Sequence, residues 1–209
     1  MKKSILLAVV LVGVAVLSTS CDLFGGKADY YPLGIGSIWN YTLTTIMSDT
    51  SGTLNDTTVN TVKVDAVKEE QLGSGEKVVM LVNALTDTTD ATYYDTSYAR
   101  KDGEKVLAYS DLNDTNPDLI LNGPPAMDKT WTVNEDITAK IVAKENVTVT
   151  AGTYKNCWKV ELTSVMDADT MKYYMWFADG TGNVKYFASA TNMGVTVTMT
   201  EELTSATIK

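Results

Sequence analysis

Along most of this chain apolar side chains return at every second position, and almost nowhere at the three- and four-residue spacing of a helix. The segment Val59–Val67 shows the alternation well. Val59, Thr61, Lys63, Asp65 and Val67 fall on one face, and Asn60, Val62, Val64 and Ala66 on the other. The same period predicts strands from Ile38 to about Met47, Lys77–Leu85, Thr92–Arg100, Lys105–Ser110, Ile137–Val149, Lys155–Met166, Thr170–Ala178, Asn183–Ser189 and Gly194–Leu203. Turn residues separate them, including Gly73-Ser74-Gly75-Glu76 and the Asp102-Gly103 pair, a hairpin signal. The longest irregular stretch is Asp111–Pro125, with three of the four prolines. The expected fold is all-β: an antiparallel meander of about ten to twelve strands, bent or partly closed into an open barrel.

The one continuous apolar run lies at the start. Lys2 and Lys3 precede Ile5–Leu17, and Ser18-Thr19-Ser20 lead into Cys21. This is the layout of a bacterial export signal with a lipidated cysteine after the cut. The run is too short for a stable bilayer span of about 30 Å. Leu17 stands four residues before the cysteine, and Ser18 holds the position where Leu is usual. An ordinary signal peptide cut near Ser20, with Cys21 a plain thiol, is the competing reading. The expected organisation is a signal peptide over 1–20, a lipidated tether over 21–29 with Gly25-Gly26 for flexibility, and one β domain over 30–209. The expected place is the bacterial cell envelope, lipid-anchored and extracytoplasmic. Asp22 resembles an inner-membrane retention signal of some lineages, and inner against outer membrane stays open.

Charge narrows the partners. Loss of residues 1–20 removes two of the 17 basic residues and none of the 26 acidic ones, leaving a net charge of −11. So acidic a chain argues against nucleic acid and anionic lipid surfaces as partners. With Cys21 lipidated, Cys157 has no partner for a disulfide, and its place in a strand-like run suggests a buried, inert thiol.

Three segments carry a family resemblance. The first is Tyr30-Tyr31-Pro32-Leu33-Gly34-Ile35-Gly36-Ser37-Ile38-Trp39-Asn40-Tyr41, and the second runs from Val147 through Ala151-Gly152-Thr153-Tyr154 to Cys157-Trp158-Lys159-Val160. The third is Met175-Trp176-Phe177-Ala178-Asp179-Gly180-Thr181-Gly182-Asn183-Val184-Lys185. Together they resemble a group of uncharacterised bacterial envelope lipoproteins, which usually have Pro where Thr150 stands here. The resemblance implies an all-β, lipid-anchored envelope protein, and it brings no catalytic residues with it.

The motif residues themselves read as architecture. Gly152, Gly180 and Gly182 sit between strands, where a positive φ closes a tight turn. A phosphate-binding role for Gly180 and Gly182 would need a following helix, and none is expected. Trp39, Tyr41, Trp131, Trp158 and Trp176 read as core or wall residues, with a sugar-stacking platform as the sharper alternative.

The chain has no histidine, which removes Ser-His-Asp and Cys-His catalysis and imidazole metal sites. The pairs Asp167 with Asp169 and Glu201 with Glu202 show no sequence sign of environments that would split their pKa values. Asp111–Asp118 is similar to a calcium loop but lacks the glycine and bidentate Glu that such a loop needs, so it reads as an Asx-rich turn. No cofactor, metal or enzymatic activity is expected. Two roles remain: a structural or interaction lipoprotein that meets another envelope protein, or a carrier whose bent sheet encloses a small amphiphile. The second rests on analogy of sheet architecture with periplasmic lipoprotein-carrier half-barrels. Large apolar residues in nearly every strand favour a filled interior, hence the first.

Overall fold

A computed structural model describes residues 27–166 and 169–209. The export signal, Cys21 and most of the tether lie outside these residues, as does the Asp167 position. Twelve strands form one sheet. They are β1 (Ile38–Asp49), β2 (Asn55–Gln71), β3 (Lys77–Thr86), β4 (Thr92–Asp102), β5 (Lys105–Tyr109) and β6 (Asp118–Asn122), then β7 (Thr130–Thr132), β8 (Ile137–Val149), β9 (Gly152–Met166), β10 (Asp169–Ala178), β11 (Gly182–Asn192) and β12 (Val195–Thr207). Each pairs antiparallel with its sequence neighbour except β6 with β7.

Closure comes from the ends of the chain. The first and last strands pair along their whole length, from Ile38 opposite Thr207 to Asp49 opposite Val195. That ladder turns the meander into a nearly closed barrel, and β6 and β7 become facing edges of one unsealed seam. Side chains and short links bridge it. Leu119 N donates to Val133 O at 3.0 Å. The Trp131 indole donates to Leu119 O at 2.8 Å, and Asn134 Nδ2 donates to Asp118 Oδ1 at 2.9 Å. Edge strands this short, three and five residues, limit the unpaired backbone they present.

Two of these strands depart from the sequence reading. The stretch Asp111–Pro125 is not wholly irregular, because β6 lies inside it, and β7 forms around Trp131, where the pattern predicts no strand. Both are too short to show a period, and prolines border β6. They are strands because β5 and β8 offer them a ladder. Similarly β2 runs on through Lys68, Glu69 and Glu70, poor strand formers held by pairing with β3. A bulge at Val67 shifts the register there, which ends the clean alternation at that residue.

Alternation decides what faces inward. Trp39 and Tyr41 of β1 stand opposite Val64 and Val62 of β2, and these side chains line the interior. Two apolar clusters fill much of it. One centres on Trp39, Tyr41, Leu81 and Leu203, and the other on Trp131, Ile141, Trp158, Val160 and Phe177. Ile141, Phe177 and Leu203 are wholly buried, each contributing about 1.5–3 kcal/mol by removal from water.

An antiparallel meander puts alternate turns at alternate ends. The segment before β1 and the C-terminal residues, with the turns at 72–76, 123–129, 150–151 and 179–181, share one end, and the turns at 50–54, 87–91 and 193–194 share the other. The segment 29–33 plugs the terminal end. Tyr30 and Tyr31 pack on the Phe177 cluster. Asp29 N donates to Asp179 Oδ1 at 2.7 Å, Gly180 N donates to Asp29 O at 2.8 Å, and Lys101 Nζ lies 2.5 Å from the Asp29 carboxylate. The C-terminal residue closes on the stretch that follows, 34–37. Lys209 N donates to the buried Ser37 hydroxyl at 3.0 Å, and a Cβ on Gly34 would stand 2.0 Å from Lys209 O. Only glycine fits that approach.

Candidate binding site in the barrel interior

Above the plug the interior is not filled. A pocket of about 180 Å³ lies among β1–β4 and β10–β12. Its floor is Tyr31, Pro32 and Leu33, and its walls include Trp39, Tyr41, Leu81 and Met175. Asn83, Ser97, Asn183 and Glu201 supply the polar atoms. Most of these are committed. The Tyr41 hydroxyl donates to Asn183 O at 3.0 Å, and Asn83 Nδ2 donates to Ser97 Oγ at 3.3 Å. Burial raises the pKa of Tyr31, and burial followed by the nearby Glu201 raises that of Tyr41 well above the ordinary phenol. Both stay neutral at physiological pH.

Glu201 is the exception. Its carboxyl makes no hydrogen bond or ion pair with any described residue, and burial pushes its pKa up to about 7. Its neighbour Glu202 points to the other face and bonds Lys185 Nζ at 2.7 Å. Strand alternation thus sends two adjacent carboxylates into different surroundings, a split the sequence did not signal. The sequence alternation places Glu201 on the face of Val197, Met199 and Leu203, and the ladders set it opposite Leu43 and Tyr186.

A second cavity of about 340 Å³ opens at the terminal end, beside Lys27, Tyr30, Val106, Leu121 and Pro124. Its charges are already paired: Lys27 with Glu104 at 2.6 Å and Lys101 with Asp29.

The glycines singled out in the sequence lie at turns of the terminal end. Gly152 opens β9 with φ +137°, and Gly180 and Gly182 flank Thr181 with φ +69° and +97°. None lines a phosphate site, but Gly182 borders the pocket, where a Cβ would lie 3.5 Å from Pro32 Cδ. The Asp111–Asp118 loop is an Asx-turn cluster. Asp111 accepts from Asn113 N at 2.6 Å, and Asp114 accepts from Ser110 N at 3.0 Å and Asn116 N at 2.9 Å. Among the described residues, no group of three or more His, Cys, Asp or Glu is placed to hold a metal ion. Trp176 is buried beneath the ammonium groups of Lys159 and Lys185, and its indole donates to Glu145 at 2.6 Å. Its aromatic face is therefore occupied by the protein's own cations.

The barrel is similar to a crystal structure described as a "putative exported protein with YmcC-like fold" from Bacteroides fragilis. The TM-score is 0.56 at 16% identity, over 87% of this chain and 100% of that one. A "putative lipoprotein" from Parabacteroides distasonis aligns over the same shares at 15% identity and TM-score 0.47. At 16% identity, the first likeness establishes a shared fold. No protein-family model and no curated protein matches the sequence.

Proposed function

We propose that this protein is a lipid-anchored, extracytoplasmic envelope protein that acts by binding rather than by catalysis, and that its barrel interior takes up part of a small amphiphile. The observation that carries the reading is the pocket at Glu201. It is walled by apolar and aromatic side chains, with few polar groups converging on it, the usual composition of a small-molecule site. The filled interior favoured by the sequence describes one end of the barrel. Tyr30, Tyr31, Trp131 and Phe177 pack the terminal end, while the middle keeps its pocket. This balance moves the carrier role ahead of the purely structural one. The export-signal pattern ending at Cys21 supports the anchor, and the segment 27–33 at the plugged end would place that end toward the membrane. Stable attachment takes more than one acyl chain, as a processed lipoprotein cysteine supplies.

Two measurements test this. Cys21→Ala should move the protein from the membrane to the soluble fraction, and continued membrane attachment would reject the anchor. Native mass spectrometry of protein purified from its own host should show a bound small molecule that is lost in Ser97→Phe, which fills the pocket. A ligand-free wild type would return the preference to an interaction role.

A further inference from the structure

Within that pocket the charges are one-sided. Glu201 is the only ionisable carboxyl among the lining residues, and no Lys or Arg lines the space. Three aromatic rings do: Tyr31, Trp39 and Tyr41. Outside the pocket lining, the same inner face holds a second acceptor without a donor. Glu201 and Asn60 both stand directly opposite Leu43, one on each side, so all three share the inner face. The Asn60 Oδ1 is buried and unpartnered. The pocket itself therefore offers a carboxyl with no donor among its own lining residues. The terminal-end cavity differs here, because its own lysines already neutralise its carboxylates.

Resting on the reading of this pocket as a ligand site, we infer that it takes an organic ammonium group, with Glu201 as the counter-ion and Tyr31, Trp39 and Tyr41 as the aromatic walls. The ammonium gives donors to an acceptor-only carboxylate, and aromatic faces attract cations at short range. The volume, about 180 Å³, suits a head group with a short chain.

The test uses three probes of equal length on the mature lipoprotein in nanodiscs at pH 8: n-butylamine, 1-butanol and butyrate, with empty nanodiscs as the blank. Calorimetry should show saturable butylamine binding at least tenfold tighter than butanol, and no butyrate binding. Glu201→Gln should bring the amine to the level of the alcohol and leave the alcohol unchanged. Equal affinity of amine and alcohol for the wild type would overturn the ammonium inference while leaving an apolar pocket. Absence of binding by all three would overturn the ligand-site reading itself.

Discussion

The indole nitrogen of Trp39 donates a 2.7 Å hydrogen bond to the carbonyl of Thr181, 142 residues away. This bond joins the start of β1 to the turn between β10 and β11, so two motifs that look independent in the sequence form one structure. Tyr41, two residues on, repeats the connection to Asn183 O. Asp29 reaches the same turn through its backbone. The plug, the first strand and the Gly-Thr-Gly turn hold one another in place.

Replacing Trp39 with Phe removes the donor and keeps most of the apolar volume. The Thr181 carbonyl loses its partner in a part-buried place, which costs about 1–3 kcal/mol. Urea unfolding should show a lower midpoint of that size with an unchanged slope. No loss of stability would mean that the bond is replaced by water at no cost.

Gly152→Val and Gly180→Val should each destabilise by about 1–3 kcal/mol, because β-branched residues are strained at positive φ. A Cβ at either position meets no atom within 4 Å, so the loss comes from backbone conformation and not from a clash. Asn at Gly180, whose φ of +69° lies near the left-handed region that Asn tolerates, should restore most of the stability there. Equal losses for Asn and Val at Gly180 would contradict this cause.

Stability should fall as pH rises through the range of Glu201. Its folded pKa of about 7 lies above the ordinary carboxyl value of 4.5, so the folded state holds its proton more tightly than the unfolded chain. The stabilisation is complete below about pH 4.5 and is lost by the time pH passes about 7. Over that window the contribution of this group falls by about 2–3 kcal/mol. Glu201→Gln should remove this part of the slope in a pH series of unfolding free energies. An identical slope in the variant would show that Glu201 does not titrate in the folded protein as described.

Cys157 is wholly buried, and burial pushes its thiol pKa up to about 11. Aromatic disulfide reagents at pH 8 should react with it only when the protein unfolds, since the thiolate is the nucleophile. Immediate stoichiometric reaction of the native protein would place the sulfur at a reachable site.

The local pattern went far toward this fold. Period-2 alternation is a direct consequence of side chains standing on opposite faces of a strand, so the β class and most strand positions were legible, from Ile38 to Leu203. Turn residues marked the hairpins for the same local reason. The short strands β6 and β7 were not legible, because three to five residues show no period and their pairing partners are chosen by the rest of the sheet. Closure was likewise out of reach. Whether a meander stays bent or joins its ends depends on the ladder between Ile38–Asp49 and Val195–Thr207, a contact between the two ends of the chain.

The candidate site divides in the same way. The sequence by itself determined the chemistry on offer: no histidine, an acidic surplus, aromatics in the signature segments and turn glycines between strands. Only the tertiary structure decided which of these meet. Glu201 and Glu202 are adjacent and identical in the chain. Strand parity and barrel closure place one against Lys185 and the other unpaired in a pocket with Tyr31, Trp39 and Tyr41. The difference between them is one of solvation and neighbours. Both are properties of packing around the side chain, so they exist only once the first and last strands have closed the barrel.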